Sequence, residues 1–495
     1  MATRTEAGLL YHGWTKPRNT GLFGATWAAT IIGFVLVISV MVTMMFAGFG
    51  TGVVVATIAT VVAAPLVWSR DGRSGYEMTV LRMQWIRARR RKENIYRGGL
   101  FSELPGGKAF LPGIMAPTKL YEGEDAAGFR FGMIHMPAKH CYTVVLRAWP
   151  QGDEAVDQSL INNWVGEWGV VLAAMGQTSD IVAVVPVIDT VPETGNRLLA
   201  EVDRNTAPNA PALAQHSMYD LAESLPTEQV QLEARIAVTF RATTDARKKD
   251  PSEQAVEISR RLPGLCAALK SASVMVRPMP AADIVAFVRR STDPASQADL
   301  ERASSSSAGH GLHWDDAGPV SHEEKFDQYV HDGGRSVTWE MDSAPASAVD
   351  EGVLRRILAP NPDVPRKRVA IIYRPHTAAD AVKIVDTDYK NALIAEQGGR
   401  GIGSVTASIK VESTSRAREE QARGHGLVRF GVLITVTEPL TGDIPAIEAI
   451  VRDLSVQCRL KIRRAYRWQA AGFYGSLGIG AVLPEHATLP GALAG

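Results

Sequence analysis

The chain contains little cysteine: Cys141, Cys266 and Cys458 are the three cysteines in 495 residues, and no two of them lie close in sequence. A disulfide scaffold needs several cysteine pairs, and a zinc ribbon needs closely spaced pairs such as CxxC. Both classes are therefore excluded, and the low cysteine content fits a reducing compartment.

The chain also lacks a net charge of either sign, since 53 basic residues face 52 acidic ones. A protein that binds nucleic acid over a large surface carries a basic excess, so nucleic acid is not the favoured partner. Two short basic segments stand out locally, RARRRK (87–92) and PRKR (365–368). They leave a membrane-anchored module that handles nucleic acid or substrate as an alternative hypothesis.

No charged residue occurs between Arg18 and Arg70. This absence predicts two transmembrane helices, at 22–46 and 53–68, because a spanning helix needs about 20 apolar residues. A cleaved signal peptide is excluded, since the apolar stretch is too long and a second one follows it. Trp27 and Trp68 are predicted to lie at the membrane interface, where indole side chains are favoured.

Basic residues on both flanks of this hairpin predict a two-pass protein of the inner cell membrane with both termini in the cytoplasm. The segment after the second apolar run mixes arginines with Leu81, Trp85 and Ile86. Such a segment is typical of a helix lying on lipid headgroups, and this interpretation is preferred to a DNA-binding patch. The residues predicted to contact headgroups are Arg87, Arg89, Arg90, Arg91 and Lys92.

The motifs of nucleotide binding are missing. The stretch QGGRGIGS (397–404) resembles a phosphate-binding loop, but it has no lysine, and GK[ST] occurs nowhere in the chain. A helical pattern precedes the stretch and a strand-like pattern, SVTASIKVES (404–413), follows it, which is the reverse of a dinucleotide-binding turn. We therefore interpret the glycines as a turn from helix to strand, and no cofactor is predicted.

Neither a metal site nor a catalytic nucleophile is predicted. His310, His313, His322 and His331 lie in a polar region without the ligand spacing of a zinc site, so they are interpreted as exposed loop histidines. The acidic triplet DTD (386–388) falls in a helical pattern and is interpreted as solvated acids. No order of serine, cysteine, histidine and aspartate indicates a nucleophile, so the protein is predicted not to be an enzyme.

Strand and helix patterns alternate over most of the remaining chain. Apolar, β-branched runs predict strands at 139–150, 181–193, 230–242, 336–341, 368–375, 404–413 and 427–438. Pro186 suggests that the second of these strands is an edge strand or contains a bulge. Because helical patterns lie between the strands, the predicted fold class is α+β with ferredoxin-like layers and no RecA-like motor, preceded by the transmembrane hairpin.

Four segments are predicted from these patterns. Residues 1–98 form the membrane hairpin with its basic helix, and residues 99–300 form a first α+β domain. A polar stretch rich in serine and glycine marks 301–335 as a linker or surface excursion. Residues 336–495 form a second α+β domain.

Several blocks resemble a family of membrane proteins encoded in conjugative and integrative elements of high-GC Gram-positive bacteria. The early blocks are GLLYHGWTKPRNTGLFG (8–24), RDGRSGYEMTVLRMQW (70–85) and RKENIYRGGL (91–100). The later blocks are WDDAGPV (314–320), YVHDGGRSVTWEM (329–341), APNPDVPRKRVAIIYRP (359–375) and GHGLVRFGVLITVT (424–437). The resemblance covers nearly the whole chain, and it resides in these blocks rather than in a catalytic motif.

The resemblance implies an architecture. The N-terminal hairpin looks like the two-pass membrane subunit of type IV secretion, the PrgI type. The remainder is similar to the N-terminal, non-motor domain of the VirB-type secretion ATPase. The segment RWQAAGFYGSLGIGAVLPE (467–485) resembles the passage that leads into the motor of those ATPases, and no motor follows it in this sequence.

These expectations favour one function. The leading hypothesis is a non-enzymatic membrane scaffold for protein transport in a type IV secretion or conjugation-like apparatus. Its expected partners are the lipid bilayer, a cognate secretion ATPase, other membrane subunits and further copies of itself. Besides the module that handles nucleic acid, a core membrane subunit of a type VII secretion system is the other alternative.

Overall fold

The structure of the protein is a computed structural model that describes residues 9–11, 14, 27–67, 69–70, 72–99, 102, 108–152, 155–207, 209–224, 230–345, 347–397 and 405–486. Two helices come first, α1 (Trp27–Ala47) and α2 (Phe49–Val67). They pack against each other and are joined at Gly48, whose φ of 85° is in the left-handed region. Many of their large apolar side chains are exposed.

Within the part of the chain whose placement is described, no helix is long and apolar enough to cross a membrane. The predicted transmembrane hairpin is therefore wrong, and so is the two-pass localisation in the inner membrane with cytoplasmic termini. That prediction depended on an absence of charge, which is a weaker criterion than one unbroken apolar helix. The uncharged run is divided at Gly48, and α2 contains Gly50, Thr51, Gly52 and Pro65.

A short arm follows α2. It consists of the antiparallel pair β1 (Ser69–Arg70) and β2 (Arg73–Ser74), helix α3 (Gly75–Arg90) and strand β3 (Ile95–Arg97).

The next part of the chain forms a first α+β unit, in which a hairpin precedes a βαββαβ succession. Its elements are β4 (Lys119–Glu124), β5 (Arg130–Met136), β6 (Cys141–Pro150), α4 (Gln158–Gln177), β7 (Ile181–Pro192), α5 (Asn196–Asn205), α6 (Ala212–Ser224), β8 (Val230–Arg241), α7 (Asp245–Lys249), α8 (Pro251–Ser271), β9 (Val274–Pro278) and α9 (Ala281–Thr292). The strand order β9-β6-β8-β7 is that of a ferredoxin-like unit, and all of these pairs are antiparallel. Helices α5 and α6 form an insertion between its second and third strands.

The same succession then occurs again after helix α10 (Gln297–Ser305). The elements of the second unit are β10 (Ser321–Glu324), β11 (Tyr329–His331), β12 (Gly334–Ser343), α11 (Arg355–Leu358), β13 (Lys367–Pro375), α12 (Ala378–Gln397), α13 (Val405–Ala422), β14 (Val428–Pro439), α14 (Ile444–Gln457), β15 (Lys461–Arg464) and α15 (Gln469–Ser476). The strand order is β15-β12-β14-β13, and an insertion of two helices, α12 and α13, again follows the second strand.

The preceding hairpin is repeated as well. In the first unit, β5 pairs with residues 141–144 of β6 and β9 pairs with residues 146–150. In the second unit, β11 pairs with residues 334–336 of β12 and β15 pairs with residues 339–343. In each unit, one edge of the first βαββαβ strand (β6 or β12) is therefore shared. Its N-terminal part pairs with the preceding hairpin, and its C-terminal part pairs with the last strand of the unit.

The two units join edge to edge through β7 and β13, which are antiparallel, with Val187 opposite Ala370 and Asp189 opposite Arg368. The result is one antiparallel sheet of 13 strands. The predicted fold class needs a second correction here, because the α+β part is one continuous sheet and not two separate layers. The polar segment 301–335 supplies β10 and β11 to this sheet, whereas the predicted domain boundaries remain a prediction.

The sheet has two buried faces. On the helical face, α4 and α8 cover the first unit and α11 and α14 cover the second. On the opposite side, here called the capped face, helices α9 and α15 and the segment 477–483 cover the sheet. Alternation along β8 assigns the side chains, since Ile236 and Val238 belong to the helical face and Ala237 to the capped face.

Local sequence explains where the main helices begin. Asp250 accepts a hydrogen bond from the backbone N–H of Ser252, and Pro251 occupies the first turn of α8. Asp443 caps α14 through the N–H of Ala446 and is likewise followed by a proline in the first turn. Both arrangements satisfy N–H groups that the helix cannot pair internally.

The arm docks onto the second unit. Trp85 of α3 packs edge-to-face on Phe326, with ring centroids 6.0 Å apart, and Arg82 lies 4.7 Å over the same phenyl ring. Arg73 forms an ion pair of 2.7 Å with Glu340 of β12. Strand β3 adds to the sheet by pairing with β10. The basic helix is thus attached to the protein body by its aromatic and arginine side chains.

The strand predicted at 404–413 is wrong, because residues 405–422 form helix α13. Its β-branched residues favour a strand locally, but the segment packs on α12 outside the sheet, and this tertiary contact decides its conformation. The predicted glycine turn at 398–404 lies outside the described residues. Since α12 ends at Gln397 and α13 begins at Val405, the stretch connects two helices and not a helix and a strand.

Candidate functional site

A buried cluster of charged residues lies on the capped face at the junction of the two units. Asp189 of β7 is 4% exposed and lies between Arg235 of β8 and Arg368 of β13. Its Oδ2 atom is 3.2 Å from Arg235 Nη2 and 3.1 Å from Arg368 Nε. One carboxylate therefore pairs with a guanidinium group from each unit.

The two arginines make further contacts that connect the sheet to its cover. Arg235 Nε donates to the carbonyl oxygen of Leu477, at 3.1 Å, in the covering segment. Arg368 Nη2 donates to Ser291 Oγ of α9, at 2.9 Å. Both guanidinium groups also lie over phenyl rings, Arg235 over Phe287 and Arg368 over Phe473.

Two more arginines complete the cluster. Arg290 of α9 forms a bidentate ion pair with Glu233, with nitrogen–oxygen distances of 3.2 and 2.5 Å. Arg366 donates to Gln297 Oε1 at 2.6 Å and to the carbonyl oxygen of Pro294 at 3.3 Å. The cluster thus draws on both units and on the helices α9 and α10.

Burial and mutual repulsion set the protonation of these groups. Burial would raise the pKa of Asp189, but Arg368 and Arg235 outweigh it and hold the pKa below its ordinary value. Burial lowers the pKa of Arg235 to about 10, although Asp189 opposes this shift. Burial, followed by repulsion from Arg290, also lowers the pKa of Arg366 to about 10. All of these groups remain charged at neutral pH.

A small cavity of about 20 Å³ adjoins the cluster. Arg290, Arg366 and Arg368 line it, together with the hydroxyl groups of Ser291, Thr435 and Thr437 and the carboxylate of Asp189. A space of about 10–15 Å³ or more holds one water-sized group, so the cavity suits a very small ligand. Among the described residues lining it, Arg368 has a buried nitrogen, Nη1, without a hydrogen-bond partner.

Hydroxyl groups cover much of the same face. Thr143 pairs with Thr239 at 2.9 Å in the first unit, and Thr338 pairs with Thr435 at the same distance in the second. Thr435 also donates to Ser476 of α15, at 2.9 Å. The hydroxyl groups satisfy one another's hydrogen-bonding capacity, and the Thr435–Ser476 bond attaches α15 to the sheet through uncharged groups.

The interpretation of the histidines as exposed loop residues is wrong for two of them. His322 lies in β10 and His331 in β11, and both are buried because the polar segment folds into the sheet. His331 is hydrogen-bonded to the carbonyl oxygen of Thr292 at 2.6 Å and to Ser336 Oγ at 2.7 Å. The paired ladder of β10 and β11 explains the burial, which the polar composition concealed.

His322 belongs to a chain of buried hydroxyls. Its Nδ1 atom is 3.0 Å from Tyr329 Oη, which is 3.1 Å from Tyr474 Oη of α15. Burial lowers the pKa of both His322 and His331 to about 4. Neither histidine is therefore charged at neutral pH. Within the described ranges, no group of three or more His, Cys, Asp and Glu residues is arranged to hold a metal ion.

The residues predicted to contact lipid headgroups are exposed on α3 and the turn after it: Arg87, Arg89, Arg90, Arg91 and Lys92. Arg89 lies 5.2 Å from the Trp85 ring, and Arg91 is 3.5 Å from Glu93. Their predicted ligand stays a prediction. Trp27 is the first residue of α1, and Trp68 lies outside the described residues, so the interface role predicted for these tryptophans also stays a prediction.

The second basic segment, PRKR (365–368), is directed inward. Lys367 is 1% exposed, and its ammonium group donates to the carbonyl oxygen of Ala359 at 2.7 Å. Arg368 is 6% exposed and paired with Asp189. A phosphate backbone running along the surface could not reach these two cations, so the segment offers little to the nucleic-acid alternative.

Sequence reasoning missed Asp189, Arg235 and Arg290. Asp189 had a signal, because it is the single acid within the apolar strand IVAVVPVIDTVP, where a carboxylate must have a partner when the strand is buried. Arg235 had a weaker signal, since it is a charged residue in the mostly apolar strand VQLEARIAVTFR, which also contains Glu233 and Arg241. Their partners come from distant parts of the chain, which no local pattern indicates.

Comparison with known proteins is informative for one segment. A family described as Domain of unknown function (DUF8461) matches residues 18–77, which include α1, α2 and the beginning of α3. No curated protein matches the chain. The matched segment carries the exposed apolar helices and the first part of the docked arm.

Proposed function

We propose that the protein is a non-enzymatic scaffold of a type IV secretion or conjugation-like apparatus, which docks a cognate ATPase and binds other subunits. The observation that carries the proposal is the apolar surface of α1 and α2. Its exposed side chains are Ile31, Phe34, Val35, Val37, Ile38, Met41, Val42, Met44, Met45, Phe46, Phe49, Val53, Val54, Ile58 and Val61. An exposed apolar surface of this extent marks an interaction site in a functioning protein.

The docked arm connects the apolar surface of α1 and α2 to the sheet, as a scaffold requires. Glu340 of β12 binds Arg73 at 2.7 Å and Arg463 at 2.6 Å, which ties the arm to two neighbouring strands. Trp85 adds an aromatic contact on Phe326. A partner bound to α1 and α2 would therefore be connected mechanically to the large sheet.

The resembling blocks also support a structural role. WDDAGPV contributes the buried Trp314, whose indole N–H donates to Thr118 Oγ1 at 3.1 Å. YVHDGGRSVTWEM forms the hairpin of β11 and β12, and GHGLVRFGVLITVT forms most of β14. RWQAAGFYGSLGIGAVLPE forms α15 and the cover of the capped face. These four blocks are accounted for by packing, which suits a protein selected for its shape.

Co-purification tests the proposal. The full chain, expressed with a secretion ATPase and the other subunits proposed as its partners, is expected to recover them. The double substitution Phe34→Ser and Ile38→Ser removes two apolar side chains of α1 that are each 56% exposed, and it should reduce recovery of the other subunits.

A matched control is Leu213→Ser on α6, which removes an apolar side chain that is 78% exposed on another helix. This variant is expected to recover partners like the unmodified chain. Purification of the unmodified chain without any subunit of the apparatus, from cells that express the whole set, would count decisively against the scaffold.

A further inference from the structure

We propose that the cavity lined by Arg290, Arg366 and Arg368 binds one small inorganic anion. The surrounding cluster has four guanidinium groups, from Arg235, Arg290, Arg366 and Arg368. The acids interacting with them are Asp189, Glu233, Glu301 and Glu438, and Glu438 also interacts with a fifth arginine, Arg335. With Arg335 included, five guanidinium groups face four carboxylates, and an anion would balance the excess positive charge.

The hydrogen bonds of the lining residues point to the same ligand. Thr437 Oγ1 is engaged by Ser336 at 2.7 Å, and Thr435 Oγ1 donates to Ser476 at 2.9 Å. Their hydroxyl groups are therefore committed to the protein. Arg368 Nη1 is a buried donor without an acceptor, on a residue that is 6% exposed. A buried cationic N–H requires an acceptor, and an anion supplies the strongest one.

The carboxylates of Asp189 and Glu233 are already neutralised by arginines of the cluster, so they do not exclude an anion from the cavity. Asp189 lines the cavity, but its Oδ2 atom already accepts from Arg235 and Arg368. Glu233 is bound by both terminal nitrogens of Arg290. Both acids therefore already accept hydrogen bonds from arginines of the cluster, and Arg368 Nη1 is the donor left for an anion.

Size and access limit the ligand class. The cavity volume of about 20 Å³ is far below that of a nucleotide site. Arg366 and Pro294 are partly exposed at one side, so an ion can enter from solvent there. Chloride is small enough for this volume and accepts several charged hydrogen bonds. Inorganic phosphate shares that chemistry but is larger, so it is the comparison anion.

Thermal unfolding of the full chain tests the proposal. Sodium chloride and sodium phosphate are each titrated at constant pH and constant ionic strength, with gluconate as the balancing anion. A ligand that binds the native state raises the unfolding midpoint with concentration. We expect a saturable rise with at least one of the two anions, and the comparison of the two titrations identifies which one binds.

Arg366→Gln is the variant of choice, because Arg366 is partly exposed and does not hold Asp189. It should weaken the apparent affinity about tenfold or more, since the replaced hydrogen bond is charge-assisted. Arg366→Lys keeps the charge and should restore part of the affinity. Arg302→Gln removes an exposed arginine that pairs with Asp299 on α10, and it should bind the anion like the unmodified chain.

Two results would overturn the proposal. One is the absence of a saturable rise with either anion. The other is an equal rise in Arg366→Gln and the unmodified chain, which would place the effect elsewhere on the surface. Neither result bears on the scaffold, because co-purification of partners does not depend on this cavity.

Discussion

Gly478 and Gly480 are the residues that let the covering segment lie flat on the capped face. Their φ angles are 70° and 89°, in the left-handed region that residues with a Cβ atom adopt only at a cost. A Cβ atom at Gly478 would lie 2.9 Å from Val187 Cγ2. A Cβ atom at Gly480 would overlap Thr143 Oγ1 and lie 3.2 Å from Thr143 Cβ. Each position therefore requires glycine for two reasons.

Alanine substitutions distinguish the cost of backbone strain from the cost of the steric clash. Gly309→Ala serves as the reference, because Gly309 has a φ of 65° and a Cβ atom there would meet no atom of the described residues within 4 Å. The reference should lose about 1–2 kcal/mol of unfolding free energy, from backbone strain alone. Gly480→Ala should lose about 1–3 kcal/mol more, because Thr143 must also move. Urea unfolding measures both values, and equal losses would mean that the segment does not lie against Thr143.

The buried histidines predict a pH dependence of stability. The folded-state pKa of His331 and of His322 is about 4, below the ordinary value of 6.5, because burial disfavours the charged ring. Between these values the unfolded chain binds more protons than the folded one. The unfolding free energy should therefore fall as the pH decreases from about 6.5 to 4, by about 1–3 kcal/mol for each histidine.

Substitution of one histidine checks the assignment. His331→Gln should flatten the dependence between pH 6.5 and 4, whatever it does to stability at neutral pH. His216→Gln is the control, since that side chain is 77% exposed on α6. If His331→Gln left the slope unchanged, protonation of His331 would not limit acid stability. Denaturant unfolding at several pH values provides the measurement.

At the scale of elements, helix α3 depends on a small number of contacts. Trp85 is its main aromatic contact with the body, on Phe326, while Met83 is 64% exposed. Trp85→Ala should weaken docking by about 1–2 kcal/mol, because a half-buried indole and an aromatic pair are lost. The arginine-rich turn after α3 should then be cut faster by trypsin.

Met83→Ala is the matched control, and its cleavage rate should remain that of the unmodified chain. Proteolysis under native conditions follows the population of the open form when opening is fast, so the ratio of rates reports the docking energy. Similar rates in both variants would show that Arg73 and β3 hold the arm without Trp85.

Elements with a strong local pattern could be predicted from the sequence. Strands β6, β8 and β14 lie close to the predicted ranges, because their apolar residues repeat with the period of a strand. Helix α13 could not, since its β-branched residues favour a strand and only contact with α12 makes it helical. Pro186 suggested an edge strand or a bulge. Strand β7 is not an edge, since it lies between β8 and β13, but its pairing with β8 contains a register shift between Ile181 and Ala183. The β13 ladder omits a partner at Pro186, which lacks an N–H group.

The pairing of residues within the candidate site could not be predicted from local patterns. The cluster of Asp189, Arg235, Arg290 and Arg368 combines four elements from both units. Each residue could be recognised as a charge in an apolar environment, but its partner depends on the register between β7 and β13. That register is a property of the complete sheet, which the sequence leaves undetermined without the pairing of the two units.

At the scale of the whole molecule, Asp189 links the two units through Arg235 and Arg368. Asp189→Asn keeps the shape of the side chain but leaves two buried guanidinium groups without their carboxylate. The unfolding free energy should fall by about 3–5 kcal/mol, the cost typical of breaking a buried ion pair. Denaturant unfolding followed by tryptophan fluorescence and by circular dichroism measures this loss.

An exposed pair supplies the comparison. Asp299→Asn on α10 removes the partner of Arg302, where both side chains are more than half exposed, and it should change stability little. Because the junction belongs to one continuous sheet, the two signals should change together in Asp189→Asn as well. A small loss, equal to that of Asp299→Asn, would mean that solvent or an ion already shares the charge of the cluster.

The cover of the capped face has a consequence for synthesis of the protein on the ribosome. Segment 469–483 is translated after every strand of the sheet, yet it packs on residues of both units, including Val187, Ala237 and Leu433. The part of the capped face that α9 does not cover therefore remains open while the chain is still growing. A nascent chain that ends before Val482 should therefore expose apolar sheet surface to chaperones and proteases.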